Sequence, residues 1–114
     1  MAFDESQITE LKHYYPDIVS VNEGGTAFIL IRNLKLPKGC TPEIVNALLC
    51  PSPRDGYTSR LFLSQQIAHA GQGKNWNAAG VVIAGQKWWA VSWKTGQANL
   101  RFLGMVIAHL LAFT

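Results

Sequence analysis

Beyond Asp55 the sequence contains no acidic residue. Residues 1–55 carry five Lys/Arg against seven Asp/Glu, a net of −2; residues 56–114 carry five Lys/Arg and no carboxylate, a net of +5. A half-chain without a carboxylate presents a positive surface, which favours an acidic protein face, a phosphate-bearing ligand or nucleic acid, with ordinary solubilising charge as the plain alternative. Charge of either sign is scarce, at 15%, against roughly 25% in ordinary globular chains. With 48% hydrophobic residues, this excludes whole-chain disorder. Two cysteines, Cys40 and Cys50, make no disulfide framework. The most apolar stretch, Phe102 to Phe113, has His109 inside it and falls short of the about 20 residues a bilayer span needs. Met1-Ala2-Phe3-Asp4-Glu5 lacks the basic start and apolar run of a signal peptide. The expectation is one cytoplasmic domain, 1–114, with reduced thiols and no membrane contact. At this length a core forms without metal or disulfides.

Asp4-x-x-Gln7 reads as a capping box opening a helix, expected over 4–15, with Ile8, Leu11 and Tyr15 at helical spacing and Pro16 as its stop. Ile18–Asn22 and Thr26–Arg32 flank a three-residue turn, Glu23-Gly24-Gly25, and predict a hairpin. Residues 33–41 read as irregular. Val45–Cys50 is a third strand, closed by Pro51, and Tyr57–Ser64 a fourth. Residues 65–80, rich in Gly, Gln, Asn and Ala, read as a loop long enough to suggest function. Val81–Ile83 is a short strand or tucked loop. A helix follows over 98–113, with Leu100, Leu103, Val106, Ile107, Leu110 and Leu111 as its stripe; Phe102, Met105 and Phe113 widen that stripe well past one face. Surface from Phe102 and Met105 is therefore expected at an interface, with a partner or a second copy. The class is α+β, helices packed on an antiparallel sheet.

The chemistry available is limited. A nucleophilic cysteine needs exposure and a basic neighbour; Cys40 has Lys38 nearby and Cys50 has Arg54, while burial as a small hydrophobe is the alternative for each. His13, His69 and His109 show no metal spacing. His69 is placed as a mobile acid–base, and His109 as a satisfied core or interface residue. No phosphate loop, dinucleotide fingerprint or Gly-x-Ser-x-Gly is present, so no cofactor and no metal are expected. Trp76, Trp88, Trp89 and Trp93, interleaved with Lys74, Lys87 and Lys94, fit either a single-strand stacking platform or a core under the loop.

The element order resembles the ubiquitin-conjugating (UBC) fold: helix, four-stranded meander, active-site loop, helix. Pro51 to Tyr57 is similar to that family's Pro-rich turn, with Tyr57 in the tyrosine place and Thr58 replacing the following proline. Asn75-Trp76-Asn77 is similar to the His-Pro-Asn motif, and Trp93 to its tryptophan before the next helix. The spacing from Asn77 to Trp93 puts the family's catalytic cysteine at Gly85, where this chain has none, and the last two helices have no counterpart. Leu36-Pro37-Lys38-Gly39-Cys40-Thr41-Pro42, Ala47-Leu48-Leu49-Cys50-Pro51, Arg54-Asp55-Gly56-Tyr57 and Trp89-Ala90-Val91-Ser92-Trp93 together resemble the prokaryotic ubiquitin-conjugating-like family E, over about residues 3–113.

That resemblance implies a ubiquitin-like modifier, an activating enzyme and a JAB-type deconjugating metalloprotease as partners, in a bacterial system linked to phage defence. It implies a noncanonical ubiquitin-like-protein transferase with Cys40 or Cys50 as thioester nucleophile and Asn77 as oxyanion donor, bordered by Tyr57, Trp76 and Trp93. The alternatives are a catalytically inactive UBC-like module that positions the modifier or the activating enzyme, and a basic single-strand nucleic-acid binder.

Overall fold

The computed structural model describes residues 4–95 and 100–114. Helix α1 spans Glu5–Tyr14. Asp4 caps it, its carboxylate accepting the Ser6 N–H at 2.9 Å and so satisfying one of the N–H groups the first turn leaves unpaired. Gln7 turns its carbonyl to α2 rather than back to the Asp4 N–H of the expected capping box. Its side-chain carbonyl accepts the Phe102 N–H at 2.9 Å, so the first turn of α1 satisfies the first turn of α2, Phe102–Leu110. Arg101 adds an ion pair to Glu10 at 3.0 Å. The expected second helix is shorter than 98–113, ending as a 3-10 turn at Leu111–Phe113; its first residues, 98 and 99, lie outside the described residues.

Strands β1 (Ile18–Glu23) and β2 (Thr26–Lys35) form the expected hairpin. Its turn has two residues rather than three, because Glu23 pairs with Thr26. Gly24 and Gly25 sit at φ 58 and 81, the doubly left-handed turn whose twist matches the strands. Strand β2 runs past the expected irregularity at Asn33 through a bulge; Asn33 is at φ 57, and its N–H is held by the Asn46 side chain at 3.1 Å. Next come β3 (Cys40–Thr41), β4 (Ile44–Cys50) and β5 (Arg60–Leu63).

The long loop expected over 65–80 is mostly strand: β6 (Ala68–His69), β7 (Gln72–Gly73) and β8 (Trp76–Ile83), with β9 (Gln86–Val91) following. Two tight turns make this possible. Ala70-Gly71 joins β6 to β7 and Ala84-Gly85 joins β8 to β9, and all four residues have positive φ. Alanine in that region costs roughly 1 kcal/mol, so neither pair reads as a hairpin turn in sequence. The expected four-stranded meander is thus part of a six-stranded antiparallel sheet, order β1-β2-β4-β5-β9-β8, beside a three-stranded one, β3-β6-β7.

One face of the large sheet carries Ile18, Ile29, Ile31, Ala47, Leu49, Leu61 and Leu63, buried with Leu11, Phe102, Val106 and Phe113 of the helical segments. The other face carries Phe28, Leu48, Cys50 and Phe62, buried with Ile83 and Trp88 of the β8–β9 hairpin. The sheet curls to close this second core. The Glu23 carboxylate, at the β1–β2 turn, accepts the Ala84 N–H at 2.8 Å, although β1 and β8 are the opposite edges. Burial on both faces explains why Ala47-Leu48-Leu49-Cys50 and Leu61-Phe62-Leu63 are continuous apolar runs. Among the described residues no helix is long and apolar enough to cross a membrane.

Candidate functional site

Both thiols are enclosed. Cys50 ends β4 at 0% exposure, its Sγ 3.5 Å from the Ser52 carbonyl. Cys40, at 3% exposure, has its Sγ 3.5 Å from the Phe113 carbonyl. Burial pushes the Cys40 thiol pKa up, against a smaller downward pull from Lys74. An acyl-carrying thiolate needs the opposite, exposure and a lowered pKa. Gly85, where the resemblance places the nucleophile, is at φ 77 in the β8–β9 turn, a conformation that a side chain adopts only under strain.

The polar centre of the molecule is Arg60, which stands across the β4–β5 ladder from Cys50. Its side chain is 2% exposed. Nη1 donates to Asn77 Oδ1 at 2.8 Å and to Asp55 Oδ2 at 3.2 Å, and Nη2 donates to the Val91 carbonyl at 3.2 Å. The guanidinium lies over the Tyr57 ring, 4.2 Å from its centroid. Asn77 and Tyr57, chosen from the family resemblance, therefore meet on one arginine. Local chain chemistry brings them there. Asp55 and Gly56 take positive φ, folding Tyr57 back so that its backbone exchanges both bonds with Arg54. Asn77 sits in a bulge of β8 between Trp76 and Ala78. Because arginine only donates, Asn77 presents its carbonyl to Arg60 and keeps its amide N–H groups for another acceptor.

Arg54 closes this end of the second core. Its guanidinium lies 5.9 Å from the Phe28 ring centroid and 5.7 Å from that of Phe62. Ser59 and His109 form the adjoining contact, Oγ to Nε2 at 2.9 Å, with both residues buried. Burial, then the Arg60 charge, lowers the His109 pKa to about 4, so the ring is neutral and shares a hydrogen bond with the Ser59 hydroxyl. This agrees with the reading of His109 as a satisfied core histidine. Trp93 donates its indole N–H to the Ala108 carbonyl at 3.0 Å, so two hydrogen bonds from the sheet side hold one turn of α2. The sequence reading did not single out Ser59 or Arg60. The available signal was a cation opening an otherwise apolar strand, Arg60-Leu61-Phe62-Leu63.

Other expected site residues fall elsewhere. Trp76 packs on the helix-covered core. Phe102 is 8% exposed and Met105 packs on the same core, so the expectation of an interface built from them is corrected. The docking of α1 onto the start of α2 turns them inward, and the apolar side chains α2 and its 3-10 turn expose are Ile107 and Leu111. His69 lies not in a loop but on β6, opposite Cys40 of β3, with its Nε2 3.2 Å from the Lys38 carbonyl. A Cβ at Gly39 would stand 2.9 Å from that nitrogen.

Set beside protein families, curated proteins and solved structures, the chain matches none of them.

Proposed function

We propose that this chain is a UBC-like protein-binding module of a bacterial ubiquitin-like modification system, gripping the modifier or its activating enzyme without forming a thioester. The observation that carries the choice between carrier and binder is the enclosure of both thiols, Cys50 at 0% and Cys40 at 3% exposure. Membership in such a system rests on the family motifs around Cys40, Cys50, Tyr57 and Trp93. The run of α1, then β1, β2, β4 and β5, then a C-terminal α2 supports it. In this reading the β8–β9 hairpin occupies the stretch that in the family holds the active-site loop. The Arg60 cluster then keeps Asn77 and Tyr57 in place as part of a rigid wall, not as a reaction centre. Single-strand stacking is the weaker reading, because Trp88 is buried, Trp76 lies on the core and Trp93 is bound to α2.

The test is to mix the chain with a bacterial ubiquitin-like modifier, its activating enzyme and ATP. A noncovalent complex in gel filtration, with no reductant-sensitive adduct on a gel, is expected. Ellman's reagent should find no reactive thiol until denaturant is added. An adduct removed by reductant and abolished in Cys50→Ala or Cys40→Ala would establish the transferase instead.

A further inference from the structure

The two edges of the large sheet are built differently. Strand β8 is interrupted by two bulges, at Asn77 and at Gly80, a device that deters further pairing. Strand β1 has none: its six residues pair with β2 in unbroken register. It contains no proline and no lysine, the other usual protections. Antiparallel pairs alternate between exchanging both backbone bonds and exchanging none. Asp17 accepts from the Arg32 N–H at 3.0 Å, so Val19, Val21 and Glu23 bond inward with the same period. Ile18, Ser20 and Asn22 turn their N–H and C=O groups away from the sheet.

A groove of about 190 Å³ runs beside this edge, lined by Ile8 and Lys12 of α1, Ile18, Val19 and Ser20 of β1, and Ile29 of β2. Apart from Ser20 and Lys12 its lining residues are isoleucines and a valine, while about half of the lining surface is polar. Lys12 is the one charged residue among those that line it; nearby, Asp17 is paired with Arg32 at 3.1 Å and Glu10 with Arg101 at 3.0 Å, and Glu5 stands one turn beyond Ile8 on the same face of α1. Among the described residues Lys12 has no carboxylate partner.

We propose that β1 is a strand-addition site for an extended segment of a partner protein that carries an acidic residue. The segment pairs with Ile18, Ser20 and Asn22, places alternate apolar side chains in the groove under α1, and sets its carboxylate against Lys12. Main-chain bonds supply the affinity and the groove supplies the choice of side chains. This rests on the reading of the chain as a binding module and names the surface that module uses.

The probe is a set of short fluorescein-labelled peptides alternating Val and Thr, ending in Asp, in Lys or in neither. Fluorescence anisotropy should rank Asp above neutral above Lys, with roughly a tenfold spread for a charge contact of about 1.4 kcal/mol. Amide NMR shifts should centre on Ile18, Ser20 and Asn22. Ser20→Pro, which removes an outward N–H, should abolish binding. Lys12→Glu lies outside the sheet ladder and should reverse the Asp/Lys order even if the proline variant fails to fold. Val82→Lys on the opposite edge should change nothing. Shifts centred on β8, or equal binding of the three peptides, would overturn the proposal, as would a concentration-dependent dimer that Ser20→Pro or Lys12→Glu dissociates, which would make the occupant a second copy. If Ser20→Pro and Lys12→Glu still bind modifier or activating enzyme fully, this surface is wrong and the binding-module reading stands. A thioester adduct would remove that reading itself.

Discussion

Leu48 and Leu49 are neighbours on β4, yet they enter different cores. Leu49 faces the helices, in a cluster closed by Leu11, Phe102, Val106 and Phe113. Leu48 faces the curl of the sheet, in a cluster closed by Ile83 and Trp88 of the β8–β9 hairpin. The first core is sealed by apolar side chains from two helices that are bonded to each other. The second is sealed by a hairpin whose register with β5 is a single pair, Leu63 with Trp89, and by polar contacts at its rim: Glu23 to Ala84, Arg60 to Asn77, and Arg54 over two phenylalanines. One strand thus serves a side closed by two helices tied to each other and a side closed by a hairpin held at its rim.

Cavity mutants should break that symmetry most. Buried Leu→Ala changes cost about 2–5 kcal/mol, and the value depends on how far the site collapses. Leu49→Ala should lie near the upper end, about 4–5 kcal/mol, because α1 and α2 are tied together and cannot close the gap. Leu48→Ala should lie near the lower end, about 2–3 kcal/mol, because the hairpin can settle onto the vacated space. Urea melts of the two variants decide it; equal losses would mean that the second core is as rigid as the first.

Acid should act through the contact between the sheet and α2. His109 has a pKa of about 4 in the folded chain and about 6.5 when unfolded. The unfolded state therefore binds more protons between these values, and stability falls as pH drops from about 6.5 to 4 and then levels off for this group. The loss approaches about 3 kcal/mol. His109→Gln, which keeps a hydrogen-bonding partner for Ser59, should flatten that part of the profile, and thermal melts across the range will show whether it does.

Replacing Arg60 measures the polar rim directly. Arg60→Met leaves Asp55 and Asn77 exposed and free to rehydrate, while the Val91 carbonyl loses a donor, so the cost should be about 2 kcal/mol. That is less than the about 3–5 kcal/mol expected when removing one partner traps an unpaired buried charge. Asp55→Asn keeps a side-chain oxygen for Nη1 but removes the carboxylate paired with the buried Arg60 charge, so it should cost more than Arg60→Met, about 3 kcal/mol. Chemical denaturation of both variants tests the order.

Much of the first core was legible in the sequence, and little of the second. Ile8 and Leu11, the Gly24-Gly25 turn and the strand at Val45–Cys50 carry strong local signals, and each lies where those signals put it. Helix α2 follows its apolar run, but the buried apolar residues there and in its 3-10 turn are Phe102, Val106 and Phe113, with Ile107 and Leu111 of the expected stripe exposed. The second core depends on Ala84-Gly85 and on Glu23 reaching the far edge of the sheet, and neither leaves a local trace. Alanine in a left-handed turn does not look like a turn residue, so β6 to β8 read as loop. The candidate site was half legible: Asn77 and Tyr57 were chosen from a resemblance, but Arg60, which touches both, was hidden inside a strand. Enclosure of Cys50 could not be read either, since a strand-end cysteine looks the same whether its second face is wet or covered.

The smallest expected effect discriminates best between the two cores. Glu23→Gln keeps an acceptor for the Ala84 N–H and removes the charge, so at this exposed site it should cost no more than about 1 kcal/mol. A latch at the rim nevertheless governs local opening more than global stability. Amide exchange should therefore speed up at Ala84, Trp88 and Ala90, on the hairpin that covers the second core. It should stay unchanged at Val106 and Leu49, whose core that hairpin does not close. Faster exchange in both sets would mean that the molecule opens as one unit, and that the distinction between the two sides does not hold. With the change confined to the hairpin, the Cys50 thiol should also become measurably more reactive in Glu23→Gln while Cys40 stays inert, because Cys50 lies under the hairpin and Cys40 lies among the helix-covered residues.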